Sequence, residues 1–398
     1  MDGGDAGGAR LDIDIAYLRE RLAALLAIPS PTGYTDTVVR HVCEELDKLG
    51  VPYDLTRRGA IRARVLGSES QGARAIVSHL DTLGALVTEL KENGRVALAP
   101  IGTWSARFAE GARCTLFTDK GAYRGSILPL KASGHTYGDE IDEQPVGWDH
   151  VELRIDALAY ARGDLHKLGV EIGDIVAIDP APEFLDTGFI VSRHLDNKAG
   201  AALMLAALKA LVEAGRTPPV DLFFLFTIAE EVGHGAASVV LPDIASMVAV
   251  DNGTTAPGQN SAEFGVTLCM ADMHGPFDFH LTHKLADLAR QNDIRCQKDV
   301  FRHYRSDSAS AIEAGADVRT ALATFGVDAS HGYERIHMHA LRSLAELLTA
   351  YALSDVEITR DRLAVSGLKG FTRQPTAPAE QTLTPRSEPP DDPMRGPR

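Results

Sequence analysis

Residues 199–231, "AGAALMLAALKALVEAGRTPPVDLFFLFTIAEE", decide the fold. Positions 199–215 predict a helix, and 219–227, almost wholly apolar, predict a buried strand. Two adjacent carboxylates, Glu230 and Glu231, follow at once. A carboxylate leaving a buried run is costly unless something charged meets it, and two in a row double the problem. The stretch therefore sets one helix–strand unit and one question, which is what the glutamates face.

The same alternation extends in both directions. Upstream, 13–28 and 34–50 read as amphipathic helices, the second ending at Gly50, followed by strand-like runs at 61–67 and 73–81. Downstream, strands are expected at 245–251 and 319–325, with helices at 279–293, 308–315 and 338–353. Strands alternating with helices predict an α/β domain on a mostly parallel, mixed sheet flanked by helices. Between residues 89 and 178 the texture changes to short strand candidates at 94–104, 112–119, 122–130, 150–157 and 174–180, with a single helical segment at 158–169. Such a run predicts a small all-β barrel or sandwich set into the α/β domain. The expected organisation is 1–88 and 179–369 for the α/β domain, 89–178 for the barrel-like insert, and 370–398 for a proline-rich tail, disordered or serving as a docking segment.

Composition excludes some roles. A formal net charge of −15 argues against nucleic acid or an anionic membrane surface as partner. No apolar run is long enough to span a bilayer, and the first residues lack a secretory pattern. Four cysteines without a C-x-x-C pair fit a reducing compartment, so the expected location is cytoplasmic. The glycines of "GGDAGG" at 3–8 follow no strand and form no dinucleotide loop; neither a G-x-S-x-G elbow nor a P-loop occurs.

Polar residues of metal-binding type gather where strands should end: His79 and Asp81 in "SHLD", Asp196 in "HLDNKAG", Glu230 and Glu231, Asp251 in "VAVDNG", and His331 in "ASHGYE". Each alone has an ordinary reading. Asp196 can cap a helix, Asp251 can sit in a turn, and acidic pairs favour helix starts. Together, at the carboxyl ends of strands where α/β sheets bind ligands, imidazole and carboxylate donors suit two divalent ions, zinc above all, with cobalt or manganese as alternatives. His274, His280, His283, His337, His339 and His135 form no comparable pattern, and Asp307 reads as a supporting residue.

The ordered set H-x-D, L-D-x-[RK]-x-G, E-E-V-G, a strand-end Asp and S-H-x-x-E resembles the tetrahedral aminopeptidases, dinuclear metallopeptidases of zinc-dependent exopeptidase fold, over about residues 12–355. The resemblance implies His79 and Asp251 on one metal, Glu231 and His331 on the other, Asp196 bridging, Glu230 as general base and Asp81 orienting His79. It also implies short peptide substrates and a homo-oligomer, commonly a dodecamer. Residues 32–63 and 100–113 look most like the branch associated with N-acetylglutaminylglutamine amide osmoprotectants. The chain departs from the common pattern at Asn197, where a second aspartate is usual, and at His234 in a shortened loop. Two rival readings share these residues: an N-acyl dipeptide amidohydrolase using the same site, and a non-catalytic binding or assembly protein on the same fold.

Overall fold

Helix Ile15–Leu26 starts at Asp14, whose side chain accepts from the Tyr17 N–H, and it buries Leu18, Leu22, Leu25 and Leu26. Helix Asp36–Leu49 stops at Gly50, which takes φ +69°, a left-handed turn that glycine adopts without a steric penalty. The chain then supplies β1 (Tyr53–Leu55), β2 (Ile61–Val65) and β3 (Glu69–His79). This computed structural model describes residues 9–356, 358–362 and 367–376. The expected tail therefore lies outside the described residues from 377 onward, as do the glycines at 3–8.

The insert follows as β4 (Gly84–Leu90), β5 (Val96–Ile101), β6 (Arg113–Thr118), β7 (Gly121–Pro129), β8 (Val151–Ile155) and β9 (Ile175–Ile178). These close into an antiparallel barrel in the order β4-β5-β8-β7-β6-β9. Its core is filled by Val87, Leu98, Cys114, Leu116, Ile127, Leu153 and Val176, and helix Arg162–Leu168 adds Leu165. The first barrel strand straddles the boundary expected at 88/89, because β4 begins only five residues after β3 ends. Short helical turns at Gly134–Tyr137 and Glu140–Glu143 interrupt the otherwise β insert.

The α/β domain resumes with β10 (Glu183–Phe184), β11 (Phe189–Ser192), the helix Leu195–Glu213, β12 (Val220–Thr227) and β13 (Ile244–Thr254). Then come β14 (Val266–Asp272), β15 (Gly275–Pro276), helix Phe279–Gln291, β16 (Cys296–Val300) and helix Asp307–Glu313. The chain closes with β17 (Arg319–Val327), β18 (Glu334–His337) and helix Met338–Leu353. The main sheet has nine strands ordered β1-β2-β12-β3-β13-β17-β14-β15, with β16 beside β14. Its centre, β12, β3, β13 and β17, is parallel, and the strands bordering it, β2 and β14, run antiparallel to it. Central strand residues such as Val77, Phe224, Val248 and Leu322 are fully buried, as a sheet covered on both faces requires.

Register explains what converges. Thr227 of β12 pairs with His79 of β3, and Ala249 of β13 pairs with Val77. The two glutamates thus leave β12 beside His79, and Asp251 lies level with it. A small sheet, β10-β11-β18, pairs Ser192 with Glu334 and carries the start of the long helix toward the residues after His331. No helix of the described residues is long and apolar enough to cross a membrane.

Candidate active site

At the carboxyl ends of the central strands, Asp196 occupies the middle. The Asp196–Asn197 peptide is cis, and neither residue has helical dihedrals, so the regular helix starts at Lys198. One carboxylate oxygen of Asp196 lies 3.2 Å from His79 Nε2 and the other 3.3 Å from His331 Nε2. Glu231 Oε2 stands 3.7 Å from His331 Nε2, and Glu230 Oε2 stands 3.8 Å from His79 Nε2. His79, Asp196 and Glu231 each offer a ligand atom, all within 4.8 Å of one another. Asp251 lines the same cleft and reaches Asp196 through Asn252, whose Nδ2 donates to Asp196 Oδ2 at 2.6 Å and to Asp251 Oδ1 at 3.4 Å.

Both histidines are aimed by main-chain carbonyls. His79 Nδ1 donates to the Asp81 carbonyl at 2.9 Å, and His331 Nδ1 to the Thr103 carbonyl at 2.8 Å. A carbonyl only accepts, so each neutral ring must present Nε2 as a bare acceptor. Each Nε2 then confronts a carboxylate oxygen, acceptor against acceptor, and only a cation between them relieves this. Burial works against a charged His331, but its hydrogen bond with Asp196 and the charge of Glu231 outweigh that and hold it up to about 11. His79 is raised for the same reason, by Asp196 and Asp81 against burial. The carboxylates show the converse. Burial, and then the Asp196 charge, pushes Asp251 up to about 8 and Glu231 well above the carboxylate range. Glu231 Oε1 is buried without a hydrogen-bond partner. Oxygen and nitrogen acceptors crowded together, one of them orphaned, fit a divalent metal ion.

The model of the M42 glutamyl aminopeptidase family matches residues 59–347 of this chain. The chain belongs to the M42 glutamyl aminopeptidase family. It is accordingly a peptidase hydrolase of the aminopeptidase class. The YhfE protein of Bacillus subtilis (strain 168) is 35% identical over 336 residues, covering 84% of this chain and 97% of its own. The glutamyl aminopeptidase of Lactococcus lactis subsp. cremoris is 25% identical over 230 residues, 56% of this chain and 62% of its own. Among solved structures, the Pyrococcus horikoshii TET1 peptidase, which can assemble into a tetrahedron or a large octahedral shell, superposes with a TM-score of 0.74 at 23% identity, covering 84% of this chain and 99% of that chain. The TET aminopeptidase from a marine sediment thaumarchaeote gives 0.77 at 18% identity, covering 84% and 96%. These structures share the fold, including the mixed sheet and the barrel.

Within the M42 cleft, Asp81 does more than its motif suggests. It contacts His79 through its carbonyl, with the carboxylate 3.5 Å from Nδ1. That carboxylate accepts from the N–H groups of Glu230 at 3.1 Å and Glu231 at 3.3 Å, and from the Thr32 hydroxyl at 2.7 Å. It thereby pins the backbone of the glutamate loop. Asp307 supports the loop's far end, accepting from the Thr227 hydroxyl and the Ala236 N–H, each at 2.6 Å. Gly235 has no room for a Cβ against Asp307. Glu334 accepts from the Asp196 N–H at 3.1 Å and the His331 N–H at 3.0 Å. Burial first, and the Asp196 charge second, raise it to about 8.

Four contributors escaped the sequence reading as site residues. Glu334 stood in the quoted S-H-x-x-E and Asn252 directly after Asp251, so both had a signal by adjacency. Thr32 had none, and Thr103 acts through its carbonyl, which residue type does not report. His234, singled out from the sequence, is exposed and lines the cleft.

Proposed function

We propose that the chain is a dinuclear metal-dependent aminopeptidase that removes N-terminal residues from short peptides in the cytoplasm, working as a homo-oligomer. The observation that carries this reading is the Asp196 carboxylate set between His79 Nε2 and His331 Nε2, with the orphaned Glu231 oxygen beside it. His79 and Asp251 would hold one ion, Glu231 and His331 the other, and Asp196 both. Such a pair, when bound, polarises the scissile carbonyl and makes water a nucleophile near neutral pH.

The proton work falls to Glu230. Burial raises its carboxyl well above the usual range, with the charges of Asp251, Asp307 and Glu231 adding to the rise and that of His79 opposing it. A base tuned upward both accepts the proton of the attacking water and returns it to the leaving amine. Asp81, through the two loop N–H groups, keeps Glu230 facing the reacting atoms while Glu231 turns toward His331. The barrel contributes directly, since the Thr103 carbonyl orients His331. The cleft, about 970 Å³, matches a small peptide. A dodecamer is part of the reading, by likeness to the TET assemblies.

The osmoprotectant link rests on the resemblance of residues 32–63 and 100–113 and makes blocked dipeptides a necessary comparison. The test is metal analysis of the purified chain, followed by free and N-acetylated dipeptides offered in parallel. The expected outcome is two divalent ions per subunit and cleavage of the free set. Cleavage of the acetylated set alone would replace the aminopeptidase assignment by an amidohydrolase.

A further inference from the structure

One wall of the cleft is not used by the hydrolytic groups. Beyond the glutamates the same cavity is lined by Val232, Met273, His303, Arg305 and Glu313. Among its described lining residues, Arg305 is the one lysine or arginine. Its guanidinium is already engaged. Nη1 donates to Glu313 Oε1 at 3.0 Å and Nη2 to Glu313 Oε2 at 2.6 Å, a fork-on-fork pair. Nη2 also donates to the Gly233 carbonyl at 3.2 Å and Nη1 to His274 Nε2 at 3.2 Å, His274 Nε2 also lies 3.1 Å from Glu313 Oε1, and Nε is buried without a hydrogen-bond partner. Gly233 lies three residues past Glu230, the proposed proton-transfer group, so this ion pair is tied to the same loop. The cleft also presents exposed apolar side chains, Val232 at 42% and Met273 at 61%, beside the exposed imidazoles of His234 and His303.

We propose that Glu313 sets the substrate specificity of this site: by occupying Arg305 it withholds the cleft's guanidinium from acidic substrates, so that peptides beginning with a neutral apolar residue are preferred. The assignment rests on the aminopeptidase reading. A substrate side-chain carboxylate entering here would have to displace Glu313, exchanging one ion pair for another without gain. An apolar side chain meets Val232 and Met273 and leaves the ion pair intact. His234 and His303 also line the cleft.

The experiment compares kcat/KM for leucyl- and glutamyl-p-nitroanilide, using the full chain reconstituted with zinc, cobalt or manganese. Assays run at about pH 8, above the ordinary imidazole range, on the native chain, E313Q, E313A and R305M/E313Q. The native enzyme is expected to favour the leucyl substrate. E313Q should raise the glutamyl-to-leucyl ratio roughly tenfold, the scale of one released charge-assisted hydrogen bond. E313A should move it in the same direction, so that one poorly folding variant does not decide the matter, and R305M/E313Q should return it to the native value. A native preference for the glutamyl substrate overturns the proposal. So does an unchanged ratio in a variant of native melting temperature, or a rise that survives loss of Arg305. A metal-loaded native chain that cleaves neither substrate overturns the aminopeptidase reading itself, a failure distinct from hydrolysis with the wrong preference.

Discussion

Glu230 and Glu231 are neighbours in sequence with different partners in space, one 3.8 Å from His79 Nε2 and the other 3.7 Å from His331 Nε2. If Glu230 moves protons and Glu231 binds, the two amides should behave differently. Glu230→Gln is expected to lower kcat by roughly 10²–10⁴-fold, the usual worth of a general base, while metal content measured on the same preparation stays full. Asn252 tests the layer beneath. Its amide steadies the Asp196 oxygen at 2.6 Å, so Asn252→Ala should weaken metal affinity roughly 10–100-fold, as loss of a group behind a ligand does, read by chelator competition. The candidate site residues are legible in the sequence only as a set, because imidazole and carboxylate groups recur near strand ends and helix starts while each alone has an ordinary reading. What aims them was not legible, because the Asp81 and Thr103 carbonyls belong to the backbone and any side chain could carry them.

The elements follow the apolar pattern closely where that pattern is long. Helix Met338–Leu353 coincides with the run read as a helix at 338–353, and β17 covers the whole of 319–325. The sequence gives little signal for strand β4, because Gly84–Leu90 follows the site directly without a punctuating turn and its burial pattern is irregular rather than alternating. Strand β16 was missed because "CQKDV" sits at an edge and is half polar. Strand order also lay beyond the sequence, since the placement of β3 between β12 and β13 is made by pairings between distant segments. One such tie can be tested. Arg74, buried on β3, donates to the carbonyls of Tyr351 at 2.8 Å, Ser354 at 2.7 Å and Asp355 at 2.8 Å. It thus closes the last turn of the final helix, where a cation also meets the negative end of the helix dipole. Arg74→Met leaves these acceptors buried, and denaturant unfolding should show a loss of roughly 3 kcal/mol. Catalytic constants measured well below the melting temperature should change little.

For the molecule as a whole, the site is a concentration of protons that only the folded chain retains. Asp251 and Glu334 titrate at about 8 when folded, and Glu230 and Glu231 are raised as well. Unfolded, these carboxyls release their protons near pH 4. Between about pH 4 and 8 the folded state therefore holds more protons than the unfolded one, and stability falls as pH rises across that window. His331, raised to about 11, acts in the same sense, because its contribution is complete below the ordinary imidazole value and is lost as pH climbs through the folded one. Asp196 runs the other way: buried but lowered by His331 and His79, it contributes above the ordinary carboxylate value and loses that only in strong acid. Divalent ions held at this site would compete with these protons for the same atoms and bind more tightly as the protons leave. The chelator-treated protein is thus expected to melt at progressively lower temperature from about pH 5 to pH 9, whereas the metal-loaded protein holds level or gains over the same range. The gap between the two melting curves should widen with pH. Parallel curves would mean that the clustered carboxylates and imidazoles are not where the metal binds.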